Sequence, residues 1–332
     1  MIGKGELAMM KTFMRLAACA VTLTILGCVS HPPVPGAAAE RERAATLALL
    51  CADVLDLRRL EIANPGVPPA PPRWSHFAPA EQGGTWEIVG TVTGEDEMDL
   101  FGHLPVVQPR RVLFGVLAVE TAHPERRVLV VRGTITPLEW GKDLEMALDA
   151  TEWGDKVFAH HGFLSLYRSL RYQPKDGPAD PRPAWQAIAE ATQGQPLTIV
   201  GHSLGAALAT FMTLDVASRR DKVDGRFLAS PRPGNDELAN AVARRVGDYL
   251  VFNNELDLVP RLPPLAASYR PLRNVELLAP ANAVLRIDED RLCHHQSIVY
   301  AALLNPTIMT VEGWQQRLQF SDKPRKCIGA AF

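Results

Sequence analysis

The sequence predicts an α/β fold in which a mixed, mainly parallel central sheet is flanked by helices. Three observations carry this expectation. Three strand candidates, TWEIVGTVTG, RRVLFGVLAVE and ERRVLVVRGT, follow one another between residues 85 and 134 with short polar connections, as antiparallel neighbours do. Downstream, helical periodicity and short apolar runs alternate, the pattern of parallel strands joined through helices. The run LTIV at 197 to 200 is apolar at every position, as a central strand covered on both faces should be.

The elements can be justified in order. Residues 41 to 60 carry Leu47, Leu50, Val54 and Leu57 on one helical stripe. Prolines from Pro65 to Pro72 then forbid regular structure, so NPGVPPAPPRW reads as an extended connection. After Thr134 the mixed region 137 to 157 leads into a helix, HGFLSLYRSLR, and a loop, PKDGPADPRP. RPAWQAIAEATQG is a helix closed by Gly194, and LTIV is the next strand. SLGAALATFMTLDVASRR and NDELANAVARRVG are helices alternating with the strands GRFLAS and DYLVFNN, and CHHQSIVYAALL begins a terminal helix. No internal repeat interrupts this order, so residues 41 to 332 read as one domain, with its core at 85 to 304.

Of the 332 residues 47% are hydrophobic and 22% charged, enough to bury a sizeable core. A net charge of -2 provides no polycationic surface, which argues against a nucleic-acid partner. At the N-terminus, Lys11 and Arg15 precede LAACAVTLTILGC, a run too short to span a membrane but ordered like an export signal. Gly27 before Cys28 resembles the lipobox of bacterial lipoproteins. That implies a leader over 1 to 28, a lipid anchor on Cys28 at a membrane surface of the bacterial cell envelope, and a tether over 29 to 40. Plain secretion or periplasmic release is one alternative, and an uncleaved anchor is the other. Of the five cysteines, Cys51 reads as a buried helix residue, and Cys293 with Cys327 is a candidate disulfide; the spacings match no zinc pattern.

Residues 201 to 205, Gly-His-Ser-Leu-Gly, sit where LTIV passes into a small-residue helix. A nucleophile in so tight a strand-to-helix turn needs small neighbours on both sides, and the helix N-terminus offers free N–H groups to developing negative charge. Ser203 is therefore a candidate nucleophile. A serine hydroxyl requires a base and an orienting carboxylate, expected in the order acid then histidine. Asp257, just beyond DYLVFNN, is the preferred acid over Glu255, Asp236, Asp248, Asp288 and Asp290. His294 and His295 are the two histidines beyond it.

Six stretches in this order, VVRGT, HHGF, IVGHSLGAAL, ASPRPGN, FNNELDLVPRLPP and HQSIVY, resemble the class 3 lipase family of α/β-hydrolases, here as a bacterial member. The resemblance implies Ser203 as nucleophile, Asp257 as acid and His295 as base, with His294 the alternative. It implies Thr134 and the N–H of Leu204 as oxyanion donors, and His161 and Arg232 as supports of the pocket walls. Val131, Ala206 and Pro233 depart from the family's usual residues without removing a functional group. No metal or organic cofactor is implied. The expected activity is cleavage of lipid carboxylic esters, triacylglycerol lipase-like. The alternatives are a short-chain carboxylesterase, a phospholipase A, or a cell-envelope scaffold without turnover. Residues 137 to 157 occupy the place of the family's lid, where Leu138, Trp140, Leu144, Met146, Leu148 and Trp153 would face an acyl chain; the other reading is an amphipathic surface helix with its aromatics in the core.

Overall fold

A computed structural model describes residues 37–63, 86–96, 110–134, 147–279, 285–307 and 327–330. The chain divides into two compact units, Met1–Glu40 and Arg41–Phe332. In the first, the described residues are 37 to 40, the opening turn of helix α1 (Ala37–Ala63). The expected leader, Cys28 and the proline-rich connection lie outside the described residues. No helix among the described residues is long and apolar enough to cross a membrane.

The second unit is built on eight strands in the spatial order β10-β9-β8-β7-β3-β2-β1-β6. Strands β1 (Trp86–Asp96), β2 (Arg110–Glu120) and β3 (Arg127–Val131) form an antiparallel meander, as expected. From β3 onward the pairings with β7 (Leu197–His202), β8 (Val223–Leu228), β9 (Asp248–Asn254) and β10 (Val275–Leu278) are parallel. β6 (Arg171–Pro174) closes the far edge by pairing antiparallel with β1.

Alternation along the strands separates two apolar layers. In β3, Leu129 and Val131 join one buried cluster while Val128 and Val130 join the other. The first layer packs under helices α2 (His161–Ser169), α3 (Ala184–Ala191), α4 (Leu204–Ala217) and α5 (Asp236–Arg245). The second is covered by α1 and by α6 (Ser297–Leu304), with Leu47, Leu50, Val54 and Leu57 all buried. A sheet covered on both faces must be apolar at nearly every central position, and β7 is buried throughout.

The region expected to be a lid resolves in part. Residues 135 to 146 lie outside the described residues, so Leu138, Trp140, Leu144 and Met146 are not placed. Residues 147 to 157 form no helix. β4 (Leu148–Ala150) pairs antiparallel with β5 (Phe158–His160), and Trp153 in the connection turns into the core. Its ring packs 5.1 Å from Phe211 and its Nε1 donates to Asp215 Oδ1 at 2.6 Å. Tyr167 donates to the other oxygen of the same carboxylate at 2.5 Å. Trp153 therefore belongs to the core and does not line an acyl pocket. Burial raises the carboxyl pKa of Asp215, and its two donors partly oppose that rise.

Cys293 and Cys327 are joined, tying the 3₁₀ turn Cys293–His295 to the ribbon of β11 (Leu285–Ile287) and β12 (Ile328–Ala330). Cys51 is free and buried, and burial raises its thiol pKa far above the usual range. The disulfide closes a loop with a sequence separation of 34 residues. Loop-closure entropy of that size corresponds to about 3–4 kcal/mol of stabilisation. Cys327→Ala is expected to lower the denaturation midpoint accordingly, read by urea unfolding with and without reductant. A midpoint insensitive to both would show that the bridge contributes nothing to stability.

Candidate active site

The turn from β7 into α4 is shaped by backbone crowding. A Cβ on Gly201 would stand 2.1 Å from the Gly205 carbonyl oxygen, and one on Gly205 would stand 2.3 Å from that of Val131. Only glycines let the helix start lie so close to the strands. Between them Ser203 adopts φ 60 and ψ -127, a sparsely populated conformation for a residue with a side chain. Its N–H donates to Leu228 O at 3.0 Å, so the strained turn is held by the neighbouring strand β8.

Two other loops at the C-terminal end of the parallel strands reach this serine. The one after β9 carries Asp257, and the turn before α6 carries His295. The His295 ring stands between them, with Nε2 2.7 Å from Ser203 Oγ and Nδ1 2.7 Å from Asp257 Oδ2. All three side chains are buried. The His294 ring makes no such bridge; its backbone carbonyl accepts from Asn254 Nδ2 at 3.0 Å, and its buried Nδ1 has no hydrogen-bond partner among the described residues.

The Asp257 carboxylate is satisfied on both oxygens. Oδ1 accepts from the Val259 N–H at 2.9 Å, and Oδ2 accepts from Tyr300 Oη at 2.7 Å as well as facing His295. Tyr300 also receives the Asn254 N–H at 3.0 Å, which fixes the phenol from the sheet side. Burial, then the Asp257 charge, holds the Tyr300 hydroxyl protonated well beyond its usual range, so it stays a donor. Tyr300→Phe removes one charge-assisted bond and leaves the Asn254 N–H unpaired, an expected loss of about 1–3 kcal/mol of stability. If Tyr300 orients the carboxylate, kcat for ester hydrolysis falls about tenfold with KM little changed. A lower melting temperature with kcat intact would limit Tyr300 to a structural part.

His202 packs its ring 4.9 Å from that of His295 and edge-on to Tyr300. Burial, and secondarily the neighbouring His295, drives its pKa well below the usual value, so it remains neutral.

Thr134 follows Arg132 and Gly133 at the end of β3. Arg132 is buried, with Nε on Leu113 O at 2.5 Å and Nη1 on Gly133 O at 2.7 Å, which fixes this loop. Gly133 lies against the serine; a Cβ added there would be 3.0 Å from Ser203 Cβ. The Thr134 hydroxyl is buried with no hydrogen-bond partner among the described residues. Leu204 is the first residue of α4, so its N–H precedes the intrahelical ladder and is free to point at an anion.

The competing acids stand elsewhere. Asp236 pairs with Arg273 at 2.7 Å and Asp248 with Arg226 at 3.0 Å, while Glu255, Asp288 and Asp290 are exposed. His161 is exposed and pairs with Asp149 at 2.7 Å, across the β4–β5 ribbon. The buried histidine of that pair is His160, which caps α2 by accepting from the Phe163 N–H at 3.3 Å. Burial lowers its pKa to about 4. Arg232 braces the loop beyond Asp257, donating from its N–H to Leu262 O and from Nη1 to Pro263 O, both at 2.7 Å. Tyr300, His202 and the Asp215 cluster were not singled out from sequence. No group of three or more His, Cys, Asp or Glu able to hold a metal ion occurs among the described residues.

Residues 128–267 match the family described as Lipase (class 3). Phospholipase A1-II 3 of Oryza sativa subsp. indica is 32% identical over 174 residues, covering 44% of this chain and 41% of that protein. The secreted mono- and diacylglycerol lipase MDL2 of Malassezia globosa is 40% identical over 92 residues, covering 26% and 30%. A crystal structure of a mutant form of MDLA from Penicillium cyclopium is 26% identical, covers 51% of this chain and 59% of that one, and aligns with a TM-score of 0.43. The chain thus spans less than half the length of these curated relatives. The matched segment runs from β3 through the serine turn and past Asp257, so the likeness to the class 3 lipases covers the part of the sheet that carries Ser203 and Asp257.

Proposed function

We propose that this protein is a serine hydrolase of lipid carboxylic esters. In this reading Ser203 is the nucleophile, His295 the general base and Asp257 the carboxylate that orients it. The observation that carries the proposal is the unbroken chain from Ser203 Oγ through both His295 nitrogens to Asp257 Oδ2, each link 2.7 Å. His295 takes the hydroxyl proton as Ser203 attacks the ester carbonyl, then gives it to the departing alcohol. Water, activated by the same imidazole, releases the acid from the acyl-enzyme. The N–H groups of Thr134 and Leu204, with the Thr134 hydroxyl that has no partner among the described residues, receive the negative oxygen; one such donor lowers the barrier by about 3 kcal/mol. Such a chain gives little support to a scaffold without turnover.

Among substrates we favour phospholipids and partial glycerides over triacylglycerols. Two kinds of relative support this: plant phospholipases A1 and fungal mono- and diacylglycerol lipases. Fatty-acid release from phosphatidylcholine, diacylglycerol and triacylglycerol emulsions, alongside p-nitrophenyl butyrate, tests the order. Faster release from triacylglycerol would reverse the preference, and activity on the butyrate alone would make it a short-chain esterase. No release from any of them would end the hydrolase reading.

We place the protein outside the cytoplasm. A disulfide persists in oxidising compartments, and Cys293–Cys327 supports export through the N-terminal leader. Two of the relatives are named as secreted, which favours release over retention by a lipid on Cys28. Mass spectrometry of the mature N-terminus decides between them: an acylated Cys28 means an anchor, and an unmodified end means release.

A further inference from the structure

We propose that Arg232 and Arg270 form a binding site for the phosphate group of a phospholipid substrate, beside the loop that carries Asp257. This rests on the ester-hydrolase reading above and adds what would select the head group.

The two arginines come from facing segments. Gly234, two residues after Arg232, forms an antiparallel bridge with Arg270, whose N–H donates to Gly234 O at 2.9 Å. Both side chains are half-buried, and each spends one Nη on backbone carbonyls. Arg232 donates to Pro263 O, and Arg270 donates to Leu265 O at 3.1 Å and Tyr269 O at 2.8 Å. Among the described residues neither guanidinium is paired with a carboxylate, and Arg232 Nε is buried with no hydrogen-bond partner. The nearby Arg273 shows the contrast, for it is matched by Asp236 and Asn240. Burial, and then the charge of Arg270, depresses the pKa of Arg232. Two like charges on bridged segments, both anchored to carbonyls of the stretch Pro263–Leu265 and with donors to spare, are relieved by an anion. Paired guanidiniums fit the oxygens of a phosphate better than a single ammonium would.

The pair is also tied to the reacting groups. Arg232 N–H holds Leu262 O; Leu262 N–H holds Val259 O at 2.9 Å; and Val259 N–H holds Asp257 Oδ1. A phosphate bound here would lie against the wall of the acid loop. A phosphodiester head group and free inorganic phosphate share this chemistry, and the test separates them.

The wild-type protein and Arg270→Gln are compared on dioctanoyl phosphatidylcholine and dioctanoylglycerol, which carry the same acyl chains with and without the phosphate. The ratio of kcat/KM values, phospholipid over diacylglycerol, is expected to fall at least about tenfold in the variant, chiefly through KM. Arg270→Lys, which keeps the charge but not the planar fork, should fall in between. An unaltered ratio, or equal losses on both substrates, overturns the proposal. Inorganic phosphate should compete with the phospholipid. Competition that both variants abolish while the ratio stays put marks a free-anion site and overturns the head-group assignment. If Arg270→Gln does not fold, Arg270→Lys and phosphate competition decide the matter, and the absence of both effects overturns it. Wild-type protein that hydrolyses neither lipid sinks the hydrolase reading instead. Calorimetric titration with inorganic phosphate still reads the arginine pair in that case, and no binding heat overturns it.

Discussion

Ser203→Ala is expected to reduce ester hydrolysis by about 10⁴-fold or more while the protein stays folded. In the proposed mechanism nucleophile, base and acid act as one unit: with the hydroxyl gone, His295 would have no proton to accept and no acyl-enzyme could form. What survives is the contribution of the oxyanion donors and of substrate binding, acting on water. The substitution deletes one buried oxygen whose partner is the His295 ring, so the cost to folding should be small beside the loss of turnover. Steady-state rates on the best substrate of the panel, with thermal melting of both proteins, measure the two effects separately. A variant retaining more than a few per cent of the wild-type rate would mean that Ser203 is not the nucleophile.

Gly201→Ala should give the largest loss of stability. The added methyl would stand 2.1 Å from Gly205 O, 2.4 Å from Gly205 C and 2.8 Å from Ala206 N. All three are backbone atoms at the start of α4, so no side chain can rotate aside. Relief requires moving the helix off the sheet, against the contacts of a fully buried stretch that includes Ala206, Ala207 and Leu208. We expect a destabilisation above about 3 kcal/mol, and poor recovery of soluble protein. Gly247→Ala is the matched control. A Cβ there meets nothing within 4 Å, and the change should be close to neutral. Equal stability of the two variants in urea would contradict the crowding that shapes the serine turn.

Much of the fold was legible because its signals are local. The all-apolar LTIV, the small residues after Ser203 and the stripe of α1 each report a burial pattern that the chain carries within a dozen residues. The antiparallel meander followed by parallel strands was expected and is present. The missed elements are short and borrow their stability. RYQP has little alternation of its own and becomes β6 because β1 offers it an unpaired edge. VELL becomes β10 by laying its backbone along β9, with Leu277 left exposed. The ribbon of β11 and β12 joins residues more than 40 positions apart, beside a disulfide.

The region around the candidate site divides the same way. Trp153 could equally have faced an acyl chain or the core, since a tryptophan in an amphipathic stretch looks alike in both. Its placement depends on Asp215, 62 residues away, which supplies an acceptor for the indole N–H. Asp215 itself is half-buried and accepts from both Trp153 and Tyr167.

By itself the sequence determined the kind of protein this is: an α/β sheet with a serine on a strand-to-helix turn whose two glycines admit no side chain. It also narrowed the partners of that serine to one aspartate ahead of its rivals and two adjacent histidines. Only the tertiary structure decided that the His295 ring bridges Ser203 and Asp257, that Tyr300 donates to the carboxylate, and that Arg232 and Arg270 come from bridged segments with no carboxylate partner among the described residues. The reason is physical. Strands and helices follow from the spacing of apolar residues along a short stretch. A hydrogen bond formed 92 residues apart depends on where three separate loops end at the top of one sheet.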